Sequence, residues 1–235
     1  MYLVVDIGNT ATKAALFQDG EWVERIRIPN GEGADTASMT SRAHAVLVAN
    51  VASPELAEPW LKGAGSSFLL NASLKLPYTT QYPDTLGQDR MANAAAAAVM
   101  HPMGSVLVID IGTCLKFDFV HRSTFVGGSI APGVFMRFQA MQAYTARLPI
   151  PREIRVPKHF IGTHTEENLL SGVLFGMMGE IQAGIDRYQS IYPDLHIILT
   201  GGDAAFFEGT LKSNIFAEPD LTLLGLYHIL KLNAT

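Results

Sequence analysis

The sequence predicts an α/β protein made of two similar halves, and three observations carry that expectation. First, an apolar run, Tyr2-Leu3-Val4-Val5, ends in the polar turn DIGNT at residues 6–10. Second, the pattern nearly returns where Val106-Leu107-Val108-Ile109 runs into DIGTC at residues 110–114. Third, each turn opens a set of three strand-like segments followed by helix-like ones, and a matched order of elements marks an internal repeat.

The elements follow in order. Residues 2–5, 14–18 and 22–28 read as strands joined by tight turns, with Asp19-Gly20 a hairpin signal. Residues 45–51 read as a buried strand, 54–62 as a helix with Pro54 near its start, and 67–70 as a further strand. A polar, proline-containing loop over 76–86 leads into an alanine-rich helix over 87–100. Residues 105–110, 115–120 and 124–130 then repeat the meander, and Pro132-Gly133 opens a helix to about 146. After a proline-rich connection over 147–160, residues 165–188 read as a long helix. Thr165 stands at its N-cap, followed by acidic first-turn residues. A strand over 196–200, a Gly201-Gly202 turn and a closing helix over 221–232 complete the chain. The repeat divides it into 1–104 and 105–235.

Composition bounds the function. Of 235 residues 48% are hydrophobic and 17% charged, enough for a large core. The formal charge of -5 argues against general nucleic-acid binding, which needs a basic footprint. A single cysteine, Cys114, excludes an internal disulfide, and it reads as a small buried residue. The histidines show no metal-ligand spacing. The sequence starts on a strand with no basic n-region, and its longest apolar stretch, 94–100, is too short for a bilayer. The expectation is a soluble cytoplasmic protein with no membrane partner.

The two glycine turns carry the chemistry. Gly8 and Gly112 permit a close backbone approach to a ligand. Thr10 and Thr113 add hydroxyls beside exposed N–H groups, a combination that cradles phosphate oxygens. Lys13, just downstream, can neutralise a phosphate. Asp6 and Asp110 stand where a strand leaves the core, each able to hold a cation or its waters. Two such hairpins facing each other would grip one polyphosphate. Ordinary turns with Asx-type bonds fit the same residues. Neither turn is a GxxxxGK[ST] loop or a GxGxxG fingerprint.

DIGNTATK followed by DIGTCLKFD resembles the phosphate motifs of the acetate and sugar kinase/Hsp70/actin superfamily. Within it the chain resembles the type III pantothenate kinases. Further motifs agree in order: Tyr82-Pro83 before Gly87-Gln88-Asp89-Arg90, GGSIAPG at 127–133, ARLP at 146–149, GTHTEENLLSG at 162–172, LTGGD at 199–203 and LTLLGL at 221–226. The resemblance spans essentially the whole chain.

It implies duplicated ribonuclease H-like, actin-like ATPase halves, each a mixed sheet with flanking helices, and an ATP cleft between them. It implies ATP-dependent phosphorylation of pantothenate to 4′-phosphopantothenate, the first step of coenzyme A biosynthesis. Asp89 then becomes the catalytic base that accepts or orients the substrate hydroxyl's proton, and Arg90 favours its ionised form. Tyr82, Gly87, Gln88, Asp89, Arg90 and Thr165 become the pantothenate-binding set. Asp6, Gly8, Asn9, Thr10, Lys13, Gly112, Thr113, Gly201 and Gly202 become the ATP and phosphate set. Asp6 would position Mg²⁺, mainly through water, and Asp110 a monovalent cation, K⁺ or NH₄⁺. A homodimer is implied. On the residues alone, Asp89-Arg90 fits a pair capping a helix better than a catalytic site.

One departure stands out. Cys114-Leu115-Lys116 replaces the small hydroxyl residues usual after the second glycine-threonine. Lys116 alternates with Phe117, so it faces either solvent or the nucleotide. Two rival readings are another small-molecule kinase of the superfamily and a non-catalytic transcription accessory protein. The retained Asp6, Asp89 and Asp110 favour catalysis.

Overall fold

The computed structural model describes residues 1–30, 32, 35–211 and 214–234. By compactness the chain forms two units. The first comprises Met1–Gly104, Asp118–Gly127 and Asp220–Thr235, and the second Ser105–Phe117 and Gly128–Pro219.

In the first unit, β1 (Tyr2–Ile7), β2 (Ala11–Gln18) and β3 (Glu21–Pro29) form the expected meander. Its second turn uses Asp19 and Gly20, both at positive φ, as a two-residue hairpin of this twist requires. After α1 (Thr36–Thr40) come β4 (Ala45–Asn50), α2 (Glu58–Leu61) and β5 (Ser66–Leu69). The sheet order is β3-β2-β1-β4-β5, with β4 parallel to both β1 and β5. β1 is therefore central and covered on both faces. That is why it reads as an unbroken apolar run rather than an alternating one. Leu3, Val5, Ile7, Leu16, Val46 and Val48 pack on one face against Met39 of α1 and Trp60 of α2.

The helix expected over 54–62 is instead two pieces, a 3-10 turn at Pro54–Leu56 and α2. Pro59 has no N–H to continue the α-helical ladder, so a second proline divides what the first one starts.

The short β6 (Thr79–Thr80) lies within the expected loop, and α3 (Gln88–Met100) follows it. Ala92 and Ala94 to Ala98 of α3 are buried, and their small side chains let another helix come close. That helix is α6, described below.

β7 (Ser105–Ile111), β8 (Cys114–His121) and β9 (Thr124–Pro132) repeat the meander. Arg122 and Ser123, both at positive φ, form the tight turn between the last two strands. α4 (Val134–Ala143), α5 (Thr165–Ile191), β10 (Leu195–Thr200), β11 (Phe216–Ala217) and α6 (Leu221–Asn233) follow. The second sheet has the order β11-β10-β7-β8-β9-β6. β10 runs parallel to β7, with Thr200 beside Asp110.

α6 returns to the first unit. A Cβ at Gly225 would lie 1.8 Å from the Ala92 carbonyl oxygen, so α3 and α6 touch backbone to backbone. Tyr227 of α6 stacks on Phe17 of β2 at 4.3 Å between ring centroids.

Candidate active site

The first hairpin sits between β1 and β2. Strand register sets Asp6 directly opposite Lys13. Both are half-buried, whereas Asn9 and Thr10 at the tip are exposed. The Gly8 N–H donates to the Ala11 carbonyl at 3.1 Å, closing the turn. Asn30, just after β3, braces it from the side. Its Nδ2 donates to the Gly8 carbonyl at 2.7 Å, and its Oδ1 accepts from the Thr12 hydroxyl at 3.1 Å. The sequence reading missed Asn30. Its partner lies 22 residues away, and no local pattern links the two.

The second hairpin lies between β7 and β8 and is closed by the Gly112 N–H donating to the Cys114 carbonyl at 3.0 Å. Its bracing is backbone. The Gly133 N–H donates to the Thr113 carbonyl at 3.1 Å. A Cβ at Gly133 would stand 2.1 Å from the Gly112 carbonyl oxygen. The last glycine of GGSIAPG thus lets the start of α4 lie on the hairpin itself. On the other side the Gly201-Gly202 turn comes in from β10, and the Asp203 N–H donates to the Ile111 carbonyl at 2.9 Å. Gly201 has a φ of +99°, and a Cβ there would lie 2.6 Å from Asp110 Oδ1. Asp110, Gly112, Thr113, Gly201 and Gly202 therefore come together. Burial pushes the Asp203 carboxyl above its usual range.

Lys116 settles the question the sequence raised. Its Nζ is 2.7 Å from Asp110 Oδ2, and each side chain is 13% exposed. It does not point to open solvent. The carboxylate expected to hold a monovalent cation already holds an ammonium, so a K⁺ site there does not fit the residues present. A Mg²⁺ that keeps most of its waters and leans on substrate phosphates needs one carboxylate from the protein, and Asp6, half-buried at the end of β1, is a residue of the type that fits it. Among the described residues no cluster of three or more His, Cys, Asp or Glu forms a closed metal cage.

The Gly87 to Arg90 segment opens α3, with Gly87 at the N-cap. Asp89 is in the first turn, where a carboxylate is favoured by the helix dipole. Its Oδ1 accepts from the Arg90 N–H at 2.8 Å, and a Cβ at Gly87 would lie 2.8 Å from that same oxygen. The glycine leaves room for the carboxylate to turn back over the helix start. Gln88 reaches the other way, its Oε1 accepting from the Asn50 N–H at the end of β4 at 2.6 Å.

Arg90 is buried and committed elsewhere than the sequence suggests. Its Nε and Nη2 donate to Asp118 Oδ1 at 2.8 and 2.6 Å, and Asp118 is fully buried. Burial works against the Arg90 charge, but the bonded Asp118 carboxylate outweighs it and raises the pKa further. The guanidinium also lies over the rings of Tyr82 and Phe125, at 5.8 and 5.6 Å. Arg90 is thus a buried anchor that fixes the start of α3, with Tyr82, 39% exposed, stacked on its outer side. Tyr78 lies in the same pocket, and burial, then the Asp118 charge, push its phenol well up.

Thr165 is not the N-cap of α5. His164 holds that position, without a side-chain capping bond, and Thr165 is the first helical residue. The capping bond comes from Glu167 instead. Its Oε2 accepts from the N–H and hydroxyl of Thr163 at 3.2 and 3.1 Å. Those bonds hold the Glu167 carboxyl below its usual range. A glutamate at the third helical position serves the cap better from below than a threonine one residue late. Thr165 lines a largely apolar groove of about 740 Å³ between α4 and α5, with Arg137, Met141, Leu148, Leu169 and Gly172. Arg137 is the groove's cation. It donates to the Pro132 carbonyl and pairs with Glu180 at 2.6 Å.

Two mixed sheets with flanking helices and a glycine hairpin at the head of each define a protein of the actin-like, sugar-kinase fold class. Solved structures of similar fold agree. One described as a Baf family transcriptional activator from Campylobacter jejuni matches with a TM-score of 0.63 at 20% identity, covering 97% of each chain. One described as a 2-dehydro-3-deoxygalactonokinase from Sinorhizobium meliloti matches with a TM-score of 0.58 at 15% identity, covering 98% of each. At these identities the likeness is one of fold.

Sequence comparison gives the family. The model of the type III pantothenate kinases matches residues 2–187. A type III pantothenate kinase of Christiangramia forsetii is 36% identical over 243 residues, covering 100% of both chains. One of Bacteroides fragilis is 38% identical over 242 residues, covering 99% of this chain and 98% of its own. The chain belongs to the type III pantothenate kinase family. It is an ATP-dependent phosphotransferase of coenzyme A biosynthesis.

Proposed function

We propose that this chain transfers the γ-phosphate of ATP to the 4′-hydroxyl of pantothenate, with Asp89 orienting that hydroxyl and accepting its proton. The observation that supports this most is Asp89 itself. Its carboxylate sits in the first turn of α3, over a glycine that makes space for it. The guanidinium of the neighbouring Arg90 is held by Asp118. Phosphoryl transfer needs little covalent chemistry from a protein; it needs placed phosphates, neutralised charge and an aligned nucleophile. Gly8, Asn9, Thr10, Lys13, Gly112 and Thr113 serve the phosphates, with Gly201 and Gly202 on the adenosine side. Asp6 would hold Mg²⁺ through its waters, and the bound ion would draw charge from the phosphate oxygens. Tyr82, Gly87, Gln88, Arg90 and Thr165 form the pantothenate set, with Arg90 shaping the set from beneath.

The repeat halves 1–104 and 105–235 each supply one phosphate hairpin in this reading. A homodimer is part of it. Phe135, Tyr144, Phe160 and Ile161 of the second unit are large apolar residues that remain 48–89% exposed, and a second copy would cover such a surface. The setting is the cytoplasm; among the described residues no helix is long and apolar enough to cross a membrane.

The test is formation of 4′-phosphopantothenate from ATP, Mg²⁺ and pantothenate, beside Asp89→Asn. General-base and orienting roles together predict a loss of about 10²-fold or more in kcat, with ATP affinity kept. A folded, ATP-binding protein that makes no product would overturn the substrate. An Asp89→Asn enzyme of full kcat would overturn the base.

A further inference from the structure

The second hairpin carries a feature that the family resemblance does not explain. The resemblance sets a diffusible monovalent cation at Asp110. The structure sets Lys116 Nζ there, 2.7 Å from Oδ2. The other carboxylate oxygen, Oδ1, is turned to Gly201, where even a Cβ would come within 2.6 Å. One oxygen is taken by the ammonium and the other faces the backbone at Gly201.

The placement follows from the hairpin. In the first hairpin, strand register sets Asp6 opposite Lys13, seven positions on. The second turn is one residue shorter, DIG-TCLK against DIGNTATK, so Lys116 is the counterpart of Lys13. The fold therefore offers a lysine to the hairpin acid twice.

We propose that the Lys116 ammonium is a built-in substitute for the monovalent cation, so that this chain binds ATP and works without K⁺ or NH₄⁺. The chemistry matches. Lysine ends in a compact, strongly hydrated point charge with three N–H donors, in effect a tethered ammonium ion. It neutralises Asp110 with the same single charge that K⁺ would bring. Being covalently attached, it is always present at a high effective concentration and pays no association entropy. The loss is adjustability, since occupancy no longer follows the ionic composition of the cell.

The proposal rests on reading Asp110 as part of the ATP site, so binding and turnover are measured separately. Mg-ATP binding is followed by calorimetry, and phosphorylation by product formation, in choline chloride and in KCl at equal ionic strength. For the native protein, Kd and kcat are expected to agree between the two salts within about twofold, well under the tenfold that 1.4 kcal/mol represents. For Lys116→Met, Kd in choline is expected to rise about tenfold or more, and K⁺ or NH₄⁺ to restore most of it. Lys116→Gln serves if the Met variant does not fold. Native protein that needs K⁺ for ATP binding would overturn the proposal. So would a folded Lys116 variant whose ATP binding is unchanged in choline. If pantothenate is not the substrate, turnover fails in every salt while the binding comparison still decides the role of Lys116.

Discussion

The two phosphate hairpins start from nearly the same residues and are held in place by different means. The first is braced by one side chain, Asn30, whose amide spans the Gly8 carbonyl and the Thr12 hydroxyl. The second is braced by backbone, with Gly133 on one side and Gly201 on the other, both too close for a Cβ. A side-chain brace can be trimmed at the cost of its bonds. A backbone brace fails by collision, because neither partner can retract. The same sequence signature can thus hide unequal tolerance to change.

That contrast sets the order of expected effects. Gly133→Ala is the most severe. Its Cβ would meet two carbonyl oxygens, at 2.1 and 2.6 Å, so α4 or the hairpin must move. Overpacking of this kind costs about 3 kcal/mol, and chemical denaturation should show a lower midpoint together with weakened ATP binding. Gly201→Ala comes next, combining a left-handed φ of +99° with a contact at 2.3 Å to the Ile111 carbonyl oxygen. About 2 kcal/mol is expected from strain and displacement, read the same way. Equal stability of either variant with native protein would dissolve the distinction between the hairpins.

Asn30→Ala should cost less, about 1–2 kcal/mol, since it removes hydrogen bonds and leaves a partly buried carbonyl to find water. Its signature is a rise in Kd for ATP that is the same in choline and in K⁺. A loss larger than that of Gly133→Ala would reverse the ranking.

The smallest effect concerns pH at the Gly201 turn. Burial raises the folded pKa of Asp203 above its unfolded value. Its favourable contribution is therefore complete below about pH 4, the unfolded value, and is lost as pH rises through the folded one. Asp203→Asn should raise Tm slightly more at about pH 7.5 than at about pH 4. The group is only partly buried and water screens it, so the shift should be small. An equal or opposite change would show that Asp203 gains a partner when charged.

Unbroken apolar runs located the central strands, because Leu3 to Val5 and Val106 to Ile109 are fully buried. What the sequence hid was polar and long-range. Lys116 and Asp118 alternate with Phe117 and Phe119, and alternation cannot tell a solvent face from a polar pocket. Asp118 is fully buried because Arg90, 28 residues earlier, meets it there. Asp89 and Arg90 are adjacent in sequence and were expected to act as a pair. On a helix adjacent side chains diverge, and the structure sends one to the helix start and the other inward. Pro59 was visible and its effect calculable; the start signal at Pro54 overshadowed it. The capping error at Thr165 was a shift of one residue, a scale that local propensity does not resolve.

The return of α6 has a consequence for the order in which this protein is made. The pocket for α6 is formed early in synthesis, by Phe17 of β2 and Ala92 of α3, yet its occupant begins at Leu221. Until residues 221–233 have been made and have left the ribosome, the N-terminal sheet carries an uncovered apolar face. Domains generally fold as they emerge, and this one is made to wait. A chain ending at residue 219 should therefore be proteolysed readily within β1 to α3, whereas adding the 220–235 peptide in trans should restore protection. The first unit closes only once α6 has been made.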